Sequence, residues 1–162
     1  MYEPKPHAVA TSAFFPADNP AVTAHMNLLQ GIINRLAGNS SSCKTWCLTL
    51  VASLLSLSGA THVPAIAVTA LVPVVVFGLM DWMYLAHEVA YRNLFDAHVD
   101  RIHAGNYGLQ HTFDAKASPN GADYRKALKS WAIAPIYGGL IGLYCIAWWL
   151  GWLKLLALPQ VK

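Results

Sequence analysis

The pattern in this sequence best suited to chemistry is a run of hydroxyls with no charge among them. Thr45, Thr49, Ser53 and Ser56, together with Ser41 and Ala52, fall within about 120° of one another at 100° per residue. The opposite side carries Leu48, Leu50, Leu54, Leu55 and Leu57. Such a stripe supplies oxygen dipoles without fixed charge and would line a wet path if several copies surrounded an axis. The same residue types also bond to the carbonyl four residues back and allow close helix packing, so the stripe has a structural reading as well.

Asp81 follows a long uncharged run. A carboxylate there is costly unless it meets water, Lys or Arg. It would be either a cation-attracting group at a pore mouth or a helix-end carboxylate paired with Lys44 of the neighbouring helix. Further on, Arg92, Arg101, Arg125 and Lys126 lie near Tyr91, Phe95 and Tyr124. Cations hold phosphates and aromatic rings stack bases, so these four are candidate ligands for an anionic regulator. Residues 86–130 carry six Lys and Arg against five Asp and Glu, and a solvated helix surface accounts for them equally well.

Seven histidines include His98 and His103 and the pair His87-Glu88, but none has the spacing of a metal-binding motif. No phosphate-binding glycine loop, dinucleotide fingerprint or nucleophile elbow occurs. The expectation is a protein that is not an enzyme, with neither metal nor cofactor. Cys43, Cys47 and Cys145 lie in apolar runs and are expected to be reduced core residues.

The 162 residues are 56% hydrophobic and 12% charged, with a mean hydropathy of +0.39. A soluble domain has about 25% charged residues. The deficit leaves too little polar surface for a water-soluble sphere, and a lipid bilayer is the expected solvent. The formal charge of +3 is too small to imply nucleic-acid binding by the whole surface. The first twenty residues contain four prolines and no apolar core, unlike a secretory signal.

The pattern predicts an all-α protein. Residues 1–19 form a flexible arm, and residues 20–162 form a single helical membrane domain. Asn19 and Pro20 cap an amphipathic helix over 21–37. Gly38 to Ser42 is either a break or a polar helical turn. Two spans follow, over about 45–62 and 63–82, the second uncharged from Val63 to Met80, and the short connector 58–62 makes them antiparallel neighbours. The second run continues as a long helix into water, past Trp82 and Tyr84, within a segment covering about 83–130. A third span is expected over about 131–153, with Trp131 at one end and Trp148, Trp149 and Trp152 at the other. Gly138 and Gly142 form a GxxxG pair that suits close helix contact.

Lys and Arg concentrate before residue 45 and within 86–130, and the connector has none. The positive-inside rule then puts the N-terminus and the 86–130 segment in the cytoplasm of a bacterial inner membrane. Lys154 and Lys162, beyond the third span, run against the rule.

Two stretches also carry a resemblance. His25 to Ser40, followed by Lys44, Trp46, Thr49, Leu50 and Val51, is one. Asp81, Tyr84-Leu85, Glu88, Tyr91-Arg92 and Leu94-Phe95-Asp96 are the other. Over about residues 24–102 they resemble a group of small bacterial membrane proteins of mostly unassigned function. Some of that group resemble the membrane effectors of antiphage systems, including the Hailong type. The resemblance implies a homo-oligomeric ion channel, guessed as four copies, acting as a defence effector. Its gate would answer a nucleotide or oligonucleotide made by a partner nucleotidyltransferase. The alternative is a non-conducting membrane anchor or assembly subunit for a cytoplasmic partner.

Overall fold

A computed structural model describes residues 14–149, so residues 1–13 of the arm and the end of the third apolar run lie outside the described residues. The described chain is all-helical: α1 (Pro20–Thr61), α2 (Pro64–Thr69), α3 (Leu71–His103), α4 (Gly121–Leu128) and α5 (Ala134–Trp149). A single turn of 3₁₀ helix, Leu109–His111, lies between α3 and α4.

α1 begins where Asn19 accepts from the Ala21 N–H at 2.8 Å with Pro20 at the first helical position. Its 42 residues make a rod of about 63 Å at 1.5 Å per residue, unbroken through Gly38 to Ser42. The polar turn therefore stays helical: Ser42 bonds back to the Gly38 carbonyl at 3.0 Å, and Ser40 turns inward. α1 ends at His62, in the left-handed conformation at φ 56°, and Ser58 donates to the Val63 carbonyl at 2.9 Å. That bond closes the turn into an antiparallel helical hairpin.

The second run, expected as one helix, is divided at Ala70. Pro73 has no N–H for the carbonyl of Thr69, and the helical ladder is interrupted one turn before the ring. The neighbouring Ala67 carbonyl accepts instead from the Ala70 N–H at 3.2 Å and from the Tyr144 hydroxyl at 3.1 Å. α1 and the combined α2–α3 run are both long and apolar enough to cross a membrane.

α1 buries Val22, Leu29 and Ile33 in its first half, but in its second half the pattern changes: it buries Ser40, Cys43, Cys47, Val51 and Ser58, whereas Leu48, Leu50, Leu55 and Leu57 are exposed. Small side chains let two backbones approach, so the leucines are left to face outward. α5 docks on α3 through Tyr137, whose ring would lie 3.3 Å from a Cβ at Gly78 and whose hydroxyl donates to the Phe77 carbonyl at 3.3 Å. The close-approach glycine is thus Gly78. A Cβ on Gly138 or Gly142 would meet nothing within 4 Å, so that pair makes no helix contact within the described chain. Cys145 is exposed, which corrects its expected place in the core: beside Tyr144 on α5 it borders an open apolar groove with Val68 of α2 and Leu71 of α3. α4 is capped by Asn120 and Asp123 and held to α3 by Trp82 Nε1 on the Tyr124 carbonyl at 2.8 Å and by Asn93 on Asp123 at 3.0 Å.

Candidate functional site

Ser40 and Lys44 are four residues apart, so they share the face of α1 that meets α3. Asp81 of α3 sits opposite and is fully buried. Lys44 Nζ lies 2.7 Å from Asp81 Oδ2, 2.9 Å from Oδ1 and 2.7 Å from Ser40 Oγ. The Oδ2 approach is a close ionic contact, and the directed hydrogen bonds go to Oδ1, which also accepts from Ser40 Oγ. Desolvated charges of this kind need a partner and hydrogen bonds; Lys44 is the counter-charge at both oxygens, and the hydrogen bonds from Ser40 and Lys44 go to Oδ1. From Thr45 to Met80 there is no Lys, Arg, Asp or Glu, so the ion pair closes the base of a charge-free hairpin.

This triad does not suit nucleophilic chemistry. Ser40 is buried, and an ammonium committed to a carboxylate has no lone pair with which to take the serine proton. Within one chain Asp81 meets Lys44, and neither carboxylate oxygen faces solvent.

Thr45, Thr49, Ser53 and Ser56 are exposed. At 100° per residue their stripe is centred about 180° from the buried face of α1, so they point directly away from α3. Thr45 donates to the Ser41 carbonyl at 3.2 Å, Thr49 to Thr45 at 2.9 Å and Ser53 to Thr49 at 2.8 Å. The protons of these three are used within the helix, and their oxygen lone pairs remain turned outward.

The four candidate cations do not converge in one chain. Arg92 is held by Glu88 at 2.7 Å and borders a polar groove of about 270 Å³ with Gln30, Asn34, Phe95 and Asp96. Arg101 is nine residues on, about 13 Å along α3 and on its opposite side. Arg125 and Lys126 are exposed on α4. A ligand gripped by all four would have to span more than one copy.

A second buried polar cluster escaped the sequence reading. His25 of α1, His98 of α3 and Tyr107 of the following loop are all buried, with His25 Nδ1 2.5 Å from the Tyr107 hydroxyl. Residues so distant in sequence have no shared spacing to reveal them. Ser40 was also missed as a partner of Lys44 and Asp81, although its four-residue offset from Lys44 was the available signal. Among the described residues, no three His, Cys, Asp or Glu form a group able to hold a metal ion. No family model, no curated protein and no solved structure matches the chain.

Proposed function

We propose that this chain is an integral protein of a bacterial inner membrane whose copies assemble into a ring that conducts ions. The observation that carries the reading is the outward face of the hairpin. α1 turns a hydroxyl stripe directly away from α3, and the exposed surface beside it is apolar: Trp46, Leu48, Leu50, Val72, Val75, Val76 and Leu79. One hairpin encloses no path. A ring with α1 innermost would bring Thr45, Thr49, Ser53 and Ser56 of every copy onto the axis and leave α3 and α5 toward lipid. The hydroxyls of Thr45, Thr49 and Ser53 have their protons turned back to the helix, so their oxygens act as acceptors and favour cations.

In this arrangement the Lys44–Asp81 pair marks the cytoplasmic boundary. The seventeen residues from Thr45 to Thr61 span about 25 Å, close to a hydrocarbon core of about 30 Å. The remaining parts of α1 and α3, with α4, form a cytoplasmic stalk, and the third apolar run completes the membrane domain. The sixteen residues of α5 cover about 24 Å of it. The resemblance noted above supplies the physiological role, a defence effector gated by a nucleotide-type signal reaching the stalk, with Arg92, Arg101, Arg125 and Lys126 contributed by neighbouring copies.

A second reading is a non-conducting anchor for a cytoplasmic partner. It is favoured by the internal satisfaction of the hydroxyl protons, which lets the stripe sit in lipid at little cost. Flux from potassium-loaded liposomes separates the two. Conduction predicts potassium release by the wild-type protein, with or without added nucleotide, and its loss in Thr49→Leu at unchanged oligomer mass. No release under any ligand condition favours the anchor.

A further inference from the structure

The buried histidines lie at the far end of the stalk, where three parts of the chain meet. His25 enters from the first turns of α1, and His98 from the last turns of α3. Tyr107 and His111 enter from the loop between α3 and α4. The His25 and His98 rings are 5.0 Å apart, centre to centre, and edge to face. His111 stands 6.3 Å from His98 and 5.5 Å from Tyr107. Residues before α1 join from outside: Phe15 N–H donates to the Tyr107 carbonyl at 2.8 Å, and Phe14 forms a β-bridge with Gly108.

The hydrogen bonds fix how protons are distributed. A carbonyl only accepts, so His98 Nε2, 3.2 Å from the Asp114 carbonyl, carries the hydrogen. His98 Nδ1 is buried and without a partner among the described residues. The Gly108 N–H donates to His111 Nδ1 at 3.1 Å, so that nitrogen must stay unprotonated. His25 Nε2 is likewise buried and unpartnered among the described residues. His111 is therefore used in its neutral form. A proton added at its Nδ1 breaks the bond that shapes the loop, and a doubly protonated His25 would hold a buried Nε2–H with no acceptor among the described residues.

The surrounding charges give the added proton little help. Arg101 lies on the same side of α3 as His98, whereas Asp96, Asp100 and His103 are about 140–200° around the helix. Asp114 is the one carboxylate the loop brings close, and it is exposed. The arm contributes backbone at Phe14 and Phe15, with Asp18 exposed. A cation is a poor occupant, because two imidazoles and the nearby Thr112 hydroxyl fall short of the usual three or four nitrogen, sulfur or carboxylate ligands.

We propose that His25 and His111, packed around His98, form a proton-operated latch at the stalk tip, closed while both are neutral and opened by acidification, which frees the 104–115 loop and residues 14–19 before α1. Burial pushes His25 below its ordinary 6.5, with His98 adding to the effect and Asp114 opposing it. His111 is lowered by burial, by Arg101 and by His98. Burial raises Tyr107 above its ordinary 10, so its phenol stays protonated. For groups lowered in the folded state, the stabilisation is fully present above about pH 6.5 and is lost as pH falls through the lowered values. In that window each histidine that gains a proton on opening makes the opening equilibrium about tenfold larger per pH unit. The latch belongs to the stalk alone and does not depend on conduction.

Hydrogen–deuterium exchange of the full-length protein in detergent tests it, at pH 7.5, 6.5 and 5.5 after correction for chemical exchange. Peptides covering 100–116 should open about tenfold or more per unit below pH 6.5, while those covering 45–57 stay level. A His25→Gln/His98→Gln variant should lose most of that slope. Equal slopes in variant and wild type overturn the proposal, as does a wild-type loop whose exchange ignores pH. If the variant does not fold, NMR of histidine-labelled wild type decides: a His25 midpoint below 6.5 that tracks loop opening supports the latch, and a midpoint at or above 6.5 refutes it.

Discussion

Removing Lys44 should harm the protein more than removing the charge of Asp81, and the asymmetry follows from exposure. The Lys44 side chain retains 16% of its accessible surface, and that of Asp81 retains none. Without Asp81 the lysine stem can carry its ammonium toward water. Without Lys44 the aspartate cannot leave. Lys44→Met strands a buried carboxylate with only the Ser40 hydroxyl against it, a loss of about 3–5 kcal/mol. Asp81→Asn keeps an acceptor for both Ser40 and Lys44 and should cost about 1–3 kcal/mol. At about 2–4 °C per kcal/mol for a chain of this size, Lys44→Met should melt roughly 6–20 °C below wild type in detergent and Asp81→Asn roughly 2–12 °C below. The double variant Lys44→Met/Asp81→Leu replaces the pair with apolar groups and should recover most of the loss, because a desolvated pair contributes little beyond an apolar contact. A larger loss for Asp81→Asn than for Lys44→Met, or a double variant as unstable as the two single losses together, would refute the reasoning.

Two further outcomes are expected. In a Cys145→Ser background, a membrane-impermeant thiol reagent added from the periplasm should label Thr61→Cys and spare Lys116→Cys; the reverse pattern inverts the orientation. Gly78→Leu should lower thermal stability by about 2 kcal/mol or more through overpacking against Tyr137 and expose the 113–120 loop to protease, whereas Gly138→Ala should be neutral or slightly stabilising. If Gly138→Ala instead changes the oligomer mass, the GxxxG pair belongs to a contact between copies.

The helical content, the turn at 58–63 and the meeting of Asp81 with Lys44 were legible in the sequence, because each rests on a local rule or on two charges bounding an uncharged run. The division at Ala70 was half legible: Pro73 was visible, but the Tyr144 hydroxyl that meets the Ala67 carbonyl comes from α5, far away in sequence. The buried face of α1 was legible from hydrophobicity at Leu29 and Ile33 but not beyond Gly38, where Ser40, Cys43, Cys47 and Val51 are inside and most of the leucines outside. In such a helix it is side-chain size that marks the buried face. The four cations were grouped by nearness in sequence, which ignores the half-turn between Arg92 and Arg101 on α3. The histidine cluster joins positions 25, 98, 107 and 111, and tertiary structure alone brings these together.

Cysteine-scanning single-channel recording in planar bilayers measures the orientation of α1 in the assembled protein, again with Cys145→Ser as background. Cys43 and Cys47 are buried against α3 and should stay silent. A cationic thiol reagent should block current irreversibly in Thr49→Cys and Ser53→Cys and leave Leu50→Cys and Leu57→Cys conducting. Block at the leucine positions with sparing of 49 and 53, or no current from any of these proteins with or without nucleotide, would contradict a ring lined by the hydroxyl stripe.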